Sequence, residues 1–251
     1  MEIRKFEDRE SWEIARRGKI TGSRVGDLSS ASATKDQIKE VLDKYEIEYK
    51  KTGTKAELEA VMPPVVKKEV EALIPEKITY YELIAERLAT RPDNEHPMIR
   101  GTRLEEEAMA RFEDATKLKL NTDLVIWQDS ENPDLAISPD GYVEGKKKIT
   151  IAAEGKCLSS ARHIEAFITQ KIPKEYEDQG KWYFVLNPDL VSLFFCFYDP
   201  RMIVHDFFFI EIKRSDYPEG ELEGMKQAMI AKLAKVEAQV AELVRGTDLE
   251  F

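Results

Sequence analysis

Ser138-Pro139-Asp140-Gly141-Tyr142-Val143-Glu144 runs through Gly145-Lys146-Lys147-Lys148 into Ile149-Thr150-Ile151-Ala152-Ala153-Glu154-Gly155-Lys156-Cys157. Pro-Asp-Gly has to turn, and Tyr142–Glu144 and Ile149–Cys157 read as strands around a Gly-Lys-Lys-Lys hairpin. Alternate strand residues share a face, so Glu154 and Lys156 project together while Gly155 and Cys157 face away. A hairpin brings Asp140 beside the first face. Two converging carboxylates repel, and a hard divalent cation resolves the repulsion with a backbone carbonyl and waters completing its shell. Lys156 then stands where it orients a water and offsets phosphate charge. The set suits hydrolysis of a phosphodiester. Taken alone, Asp…Glu-x-Lys reads more readily as a surface ion pair on a hairpin than as a catalytic set, so the rest of the chain has to decide.

The chain has 251 residues, 42% hydrophobic and 34% charged, enough to fill the core of one large domain or of one domain with a small insert. Its longest apolar run, near Val204–Ile212, contains His205 and Asp206 and falls short of the ~18 residues of a membrane span. The opening Met1-Glu2-Ile3-Arg4-Lys5-Phe6-Glu7 lacks the apolar stretch of a signal peptide. Two cysteines suit a reducing cytoplasm and rule out a cysteine-only zinc site. A net charge of -10 argues against coating DNA over the whole surface, but the charge is segregated. Gly145–Lys174 carries seven basic residues against two acidic ones, whereas Glu211–Phe251 carries nine acidic against six basic.

Outward from the strands, helical spacing is expected around Trp12–Ile20, from Gly22 or Ser23 through Leu28, over Thr79–Leu88 and over Gly101–Thr116. Arg91–Pro97 reads as a polar loop. A further strand is expected at Leu124–Gln128, helices at Ile164–Gln170 and Glu175–Leu186, and long strands at Val191–Tyr198 and Val204–Lys213. Gly220–Gly246 is a helix with Leu222, Met225, Met229, Leu233, Val236, Val240 and Leu243 on one stripe, the mark of core or subunit contact. Ser29–Ala33 has a linker composition. Thr34 with Gln37 and Thr54 with Glu57 are capping boxes, and Pro63-Pro64 stops the second helix. Residues 34–62 resemble SAP-like helix-extended-loop-helix modules, several of which bind DNA; a helical insert with a solvated face is the other reading.

Three more segments bear on the chemistry. Glu105 lies on Gly101-Thr102-Arg103-Leu104-Glu105-Glu106-Glu107, Gln179 opens a Gln-x-x-x-Tyr pattern ending at Tyr183, and Trp12-x-x-x-Arg16-Arg17-Gly18 leads to Thr21-Gly22-Ser23. With Tyr198-Asp199-Pro200-Arg201-Met202, they resemble the lambda exonuclease (YqaJ) family of phage recombination nucleases within the PD-(D/E)xK nucleases. The resemblance spans residues 6–30 and 78–250. It implies an α/β (α+β) fold with a restriction-endonuclease-like core, a central mixed sheet flanked by helices, made of residues 1–30 and 76–251 with 31–75 as a SAP-like helical insert. It also implies that Asp140, Glu154 and the Gly155 carbonyl hold magnesium, that Lys156 supports the attacking water, and that Glu105 reaches a second metal ion or its water. Manganese would substitute, with two ions per site. Arg16, Ser23, Ser138 and Gln179 would grip a 5′-terminal phosphate by a guanidinium fork, hydroxyls and an amide. Arg17 is an alternative to Arg16, Glu106 and Glu107 are alternatives to Glu105 although helix phase favours Glu105, Ser23 reads also as an N-cap, and Gln179 as a surface amide.

His96, His163 and His205 do not form a site, Cys157 reads as a buried strand residue, and Trp182 and Tyr183 read as core aromatics. No Gly-rich nucleotide loop indicates ATP-driven work. The resemblance implies a magnesium-dependent 5′-to-3′ exonuclease on linear double-stranded DNA that releases mononucleotides and leaves 3′ overhangs for a single-strand annealing protein. A trimeric ring, no membrane attachment, and a phage or prophage origin with action in the host cytoplasm are implied with it. An endonuclease or other-polarity nuclease of the same fold, or a non-catalytic DNA-end-binding protein, are the alternatives.

Overall fold

The computed structural model describes residues 7–29, 32–74, 76–92 and 95–245. Met1–Phe6, part of the Ser29–Ala33 linker, two positions of the Arg91–Pro97 loop, and Gly246 lie outside the described residues. The chain divides into two compact units, Met1–Ala89 and Thr90–Phe251.

The first unit is helical: α1 (Arg9–Arg16), α2 (Gly22–Ser29), α3 (Lys35–Lys44), α4 (Lys55–Ala60), α5 (Pro64–Ala72) and α6 (Ile78–Leu88). Both capping boxes form, with Thr34 and Thr54 accepting from the amides of Gln37 and Glu57 and those side chains returning the bond. Pro64 does more than end α4: it stands in the first turn of α5, where its missing N–H costs nothing. Ile38, Val41, Leu42, Leu58, Val66 and Val70 close a core among α3, α4 and α5. Each such side chain contributes roughly 1.5–3 kcal/mol by leaving water. Polar bonds tie the α1–α2 segment to α6. Glu86 accepts from the Gly18 amide (2.6 Å) and from both terminal nitrogens of Arg24, and Arg87 donates twice to the Gly18 carbonyl (3.0 and 2.7 Å).

The second unit holds α7 (Pro97–Thr116), β1 (Trp127–Gln128), β2 (Ala136–Ile137), β3 (Gly141–Tyr142), β4 (Ile151–Lys156), α8 (Ser160–Thr169), α9 (Glu177–Leu186), β5 (Ser192–Tyr198), β6 (Phe207–Lys213) and α10 (Glu221–Leu243). The main sheet is mixed, in the order β3-β4-β5-β6. Its β3–β4 and β5–β6 pairs are antiparallel and its β4–β5 pair is parallel, with Glu154 opposite Phe195. β1 and β2 pair separately. Strand alternation sorts β4 into two faces. Ala153 and Cys157 pack with Leu104, Ala108, Met109 and Phe112 of α7, while Ala152 packs with Ala166 of α8 and Tyr183 and Phe184 of α9. Gly180 lets α9 press onto the sheet, since a Cβ there would stand 2.8 Å from Ile212 Cδ1 and 3.2 Å from Phe195.

Some boundaries differ from expectation for local reasons. The strand expected at Leu124–Gln128 shrinks to Trp127–Gln128, because the chain pairs earlier: Asn121 and Tyr142 exchange backbone bonds (2.7 and 3.0 Å), leaving Leu124 fully exposed. α7 starts at Pro97, capped by His96, so the expected polar loop is shorter. α8 starts at Ser160 because the Ser159 hydroxyl caps it. β6 starts at Phe207 and not Val204, since His205 has a positive φ of 53° that breaks the strand.

Candidate active site

The β3–β4 register pairs Gly141 with Ala153, which sets Asp140, in the bend just before β3, next to Glu154 of β4. The Gly155 amide donates to Asp140 Oδ2 at 2.7 Å. A Cβ on Gly155 would meet that oxygen at 3.5 Å and Met109 Cε at 3.4 Å, ordinary van der Waals distances, so the strand packs closely against the carboxylate without strain. Glu154 is buried and fully engaged. Lys156 Nζ lies 2.7 Å from Oε1, Gln179 Nε2 donates to the same oxygen at 2.7 Å, and the Tyr183 hydroxyl donates to Oε2. Lys156 is 11% exposed and its ammonium sits 4.4 Å from the centre of the Tyr176 ring, which keeps it dry on one side.

The electrostatics are those of crowded acids. Burial, then the Glu154 charge, pushes the Asp140 carboxyl up to about 7, against the pull of the Gly155 amide. Burial, and next the Glu154 charge, also raises Glu105 on α7. The Tyr183 hydroxyl is held well above the usual phenol range by burial and by the same carboxylate. Burial pushes the Cys157 thiol up to about 12, so it is a packed side chain and no nucleophile.

Among the described residues, no group of three or more His, Cys, Asp or Glu side chains is close enough to hold a metal ion. What the site offers is a pair of carboxylates with a third in electrostatic range and a backbone carbonyl between the two strand residues. These are hard oxygen donors, with Glu154 offset only by Lys156, a set whose chemistry fits magnesium or manganese and not zinc.

The residues expected to bind phosphate each have partners within their own unit. Gln179 spends its amide on Glu154, and Ser138 donates to the Val125 carbonyl at 2.7 Å. Arg16 and Ser23 belong to the first unit. There the Arg16 guanidinium stacks 4.1 Å from the Trp12 ring, Ser23 lies 3.2 Å from the Thr21 hydroxyl, and both side chains line a cavity of about 370 Å³ with Arg9, Arg17 and Arg24. Tyr183 is a core aromatic by burial, but its hydroxyl also orients Glu154, a role the sequence reading did not assign. The signal was available: Gln179 and Tyr183 are four residues apart, hence on one helix face. Trp182, expected in the core, is only partly buried and donates to the Ala136 carbonyl at 3.0 Å. His163 is buried and bonded to the His205 carbonyl at 2.7 Å.

A mixed sheet flanked by helices, with Asp at the entry to one strand and Glu-x-Lys on its neighbour, defines a protein of the restriction-endonuclease-like fold. The YqaJ-like viral recombinase domain family matches residues 11–186, well over half of the chain, and the chain belongs to it. The match takes in residues 31–75 and ends before the Tyr198–Met202 segment. Among solved structures, the chain is similar to LHK-Exo in complex with dAMP, with 25% identity and a TM-score of 0.52 over 94% of this chain and 97% of that one. It is similar also to the alkaline exonuclease LHK-Exo from Laribacter hongkongensis, with 26% identity and a TM-score of 0.51 over 94% and 99%. No curated protein matches the chain.

Proposed function

We propose that this chain is a deoxyribonuclease that degrades linear double-stranded DNA as an exonuclease, in the 5′-to-3′ direction and with magnesium. Family membership and the likeness to an alkaline exonuclease over nearly the whole chain support the exonuclease reading. The observation that carries the chemistry is the Asp140–Glu154–Lys156 group, with Asp140 at the entry to β3 bonded to the β4 backbone, and raised by burial and by its neighbour's charge.

A divalent cation bound by Asp140, Glu154 and the Gly155 carbonyl would neutralise the scissile phosphate and acidify a water; Glu105 would serve a second ion. The chain's own residues do the rest. Gln179 and Tyr183 hold the Glu154 carboxylate in one orientation, so it needs no rearrangement to act. Lys156 supplies a fixed, partly desolvated positive charge that orients the attacking water and offsets charge on the phosphate. Water oxygen bonds to phosphorus and the P–O3′ bond breaks. A 5′-mononucleotide with a free 3′-hydroxyl leaves, and the next nucleotide keeps the new 5′-phosphate. Arg16 and Ser23, lining the first unit's cavity, are proposed to take up a terminal phosphate.

Residues 34–62 are proposed as a SAP-like element that contacts duplex DNA. A ring-shaped trimer, a single-strand annealing partner for the 3′ overhang, and action in the host cytoplasm complete the reading. Among the described residues no helix is long and apolar enough to cross a membrane. The test is an end-labelled time course on linear duplex, with and without a 5′-phosphate, in magnesium and in EDTA. The reading expects 5′-mononucleotides first, from phosphorylated ends, and only with magnesium. Cutting of covalently closed circles, loss of label from 3′ ends first, or turnover in EDTA would overturn it.

A further inference from the structure

Helix α7 meets the sheet through Leu104, Ala108, Met109 and Phe112, and apolar packing of this kind is indifferent to a small slide along the helix axis. Directional bonds fix the slide. Arg100, Glu107 and Arg111 are seven and four residues apart, on one side of the helix. The Tyr198 hydroxyl donates to Glu107 at 2.9 Å, and Arg111 makes two bonds to Asp206 (2.6 and 3.0 Å). Those two ties reach the end of β5 and the entry to β6. Arg100 is the tie to the exit of β4. It is 4% exposed, and its Nε donates to the Cys157 carbonyl at 2.8 Å.

The β4–β5 ladder stops at Lys156, opposite Phe197. The next two carbonyls go to guanidinium groups: Cys157 to Arg100, and Leu158 to Arg201, whose charge is held by Asp199. Lys156 is therefore the last residue of the ladder, kept from fraying by charge-assisted bonds to the residues that follow it. Arg100 also shares its helix with Glu105, five residues and about 7.5 Å further along the axis. After burial, the Glu154 charge is what raises the Glu105 carboxyl, so the helix and strand acids stand within each other's field. One side chain thus joins the two elements that carry these acids. Packing alone does not call for it, because a buried guanidinium is costly to desolvate and an apolar side chain of similar volume would fill the space.

We propose that Arg100 is a positioning residue, which by holding the Cys157 carbonyl sets where Glu105 of α7 stands relative to Glu154 and Lys156 of β4. The proposal rests on the metal-ligand assignment within the nuclease reading and deepens it. A functional site tolerates only about 0.5 Å of error in its groups, so a slide of α7 too small to unfold the protein is enough to spoil it.

The test uses the whole chain and two measurements. The first does not read cleavage: it follows binding of Mn2+ alone, by the paramagnetic resonance of the free ion. Arg100→Met should weaken binding by roughly 10–100-fold, and Arg100→Lys, which keeps a charged donor for the Cys157 carbonyl, should recover most of the loss. Arg111→Met removes a different tie of the same helix and should leave Mn2+ affinity close to that of wild type, even where its melting temperature falls. The second measurement is cleavage of linear duplex, in which Arg100→Met should lower kcat by a similar factor and leave KM for DNA unchanged. Wild-type Mn2+ affinity or wild-type kcat in Arg100→Met, an equal loss in Arg111→Met, or a lysine variant no better than the methionine one would each overturn the proposal. An Arg100→Met chain that does not fold would overturn it too, because a residue that only positions can be replaced without losing the fold. If wild type binds Mn2+ and cuts no DNA, the nuclease reading fails while the Mn2+ comparison still decides the role of Arg100.

Discussion

The two units reach order by different routes. In the α3–α5 part of Met1–Ala89 the decisive contacts are short in sequence: two capping boxes, each joining residues three apart, and a core assembled from three consecutive helices. In Thr90–Phe251 they are long. Asp140 meets Gly155 across fifteen residues, Glu154 meets Tyr183 across twenty-nine, and Asp206 meets Arg111 across ninety-five. Chemistry that needs several groups at one point draws on the second kind of contact, because residues adjacent in sequence cannot converge from different directions. The proposed nuclease group accordingly sits in the sheet-bearing unit.

That contrast can be broken by substitution. Asp140→Ala or Lys156→Ala should lower the cleavage rate by about 10³-fold or more, since each removes a charge held at the reacting phosphate. Thermal unfolding should move little for Asp140→Ala, which relieves the crowding of acids, but should fall for Lys156→Ala, which takes away the cation paired with the buried Glu154. A variant that still cuts at the wild-type rate would remove Asp140 or Lys156 from the chemistry.

The next effects separate the units by stability. Asp199 and Arg201 form a buried ion pair (2.7 Å) that also receives the Ser160 hydroxyl and reaches the Leu158 carbonyl, just beyond Lys156. Arg201→Ala strands a buried carboxylate and should cost about 3–5 kcal/mol in denaturant unfolding of the second unit. Leu42→Ala should cost about 2–5 kcal/mol in the first. Hydrogen exchange should then show lost protection over 33–74 with β4 and β5 amides unchanged; loss spread evenly over both units would contradict their independence.

Tyr183→Phe keeps the packing and deletes one hydroxyl. It should reduce cleavage by roughly 10–100-fold, with a raised requirement for magnesium, because Glu154 loses one of the groups that orient it. Unchanged metal dependence would make Tyr183 a packing residue only.

The smallest effect concerns pH. The Lys226 ammonium, helped by amides of Asn132 and Glu131, holds the Asp129 carboxyl down to about 2 from an ordinary 3.8. Its folded value is depressed, so its contribution is complete above the unfolded value and disappears as pH falls through about 2. Melting temperature followed down through this window should fall less for Asp129→Asn than for wild type. A parallel decline of the two would show that the pair adds nothing.

How much of this was readable beforehand follows the same division. Thr34 with Gln37 and Thr54 with Glu57 announce their helices because the signal and the bond lie within four residues. The Asp140–Glu154 pairing could be read because a hairpin joins the two strands and alternation fixes the faces. The parallel pairing of β4 with β5 left no comparable local trace, and the side-chain destinations of Gln179, Ser138 and Tyr183 depend on it or on loops beside it. The start of β6 was misjudged because nothing in Val204-His205-Asp206 marks His205 as the residue with positive φ.

The parallel β4–β5 pair also bears on synthesis. β4 carries Glu154 and Lys156, but its parallel partner begins only at Ser192, after α8 and α9 have been made. A nascent chain released or stalled before that point holds the acidic and basic groups without the scaffold that aligns them. On the proposed nuclease reading, the ribosome therefore finishes most of this protein before the Asp140–Glu154–Lys156 group is held in place by its parallel neighbour strand.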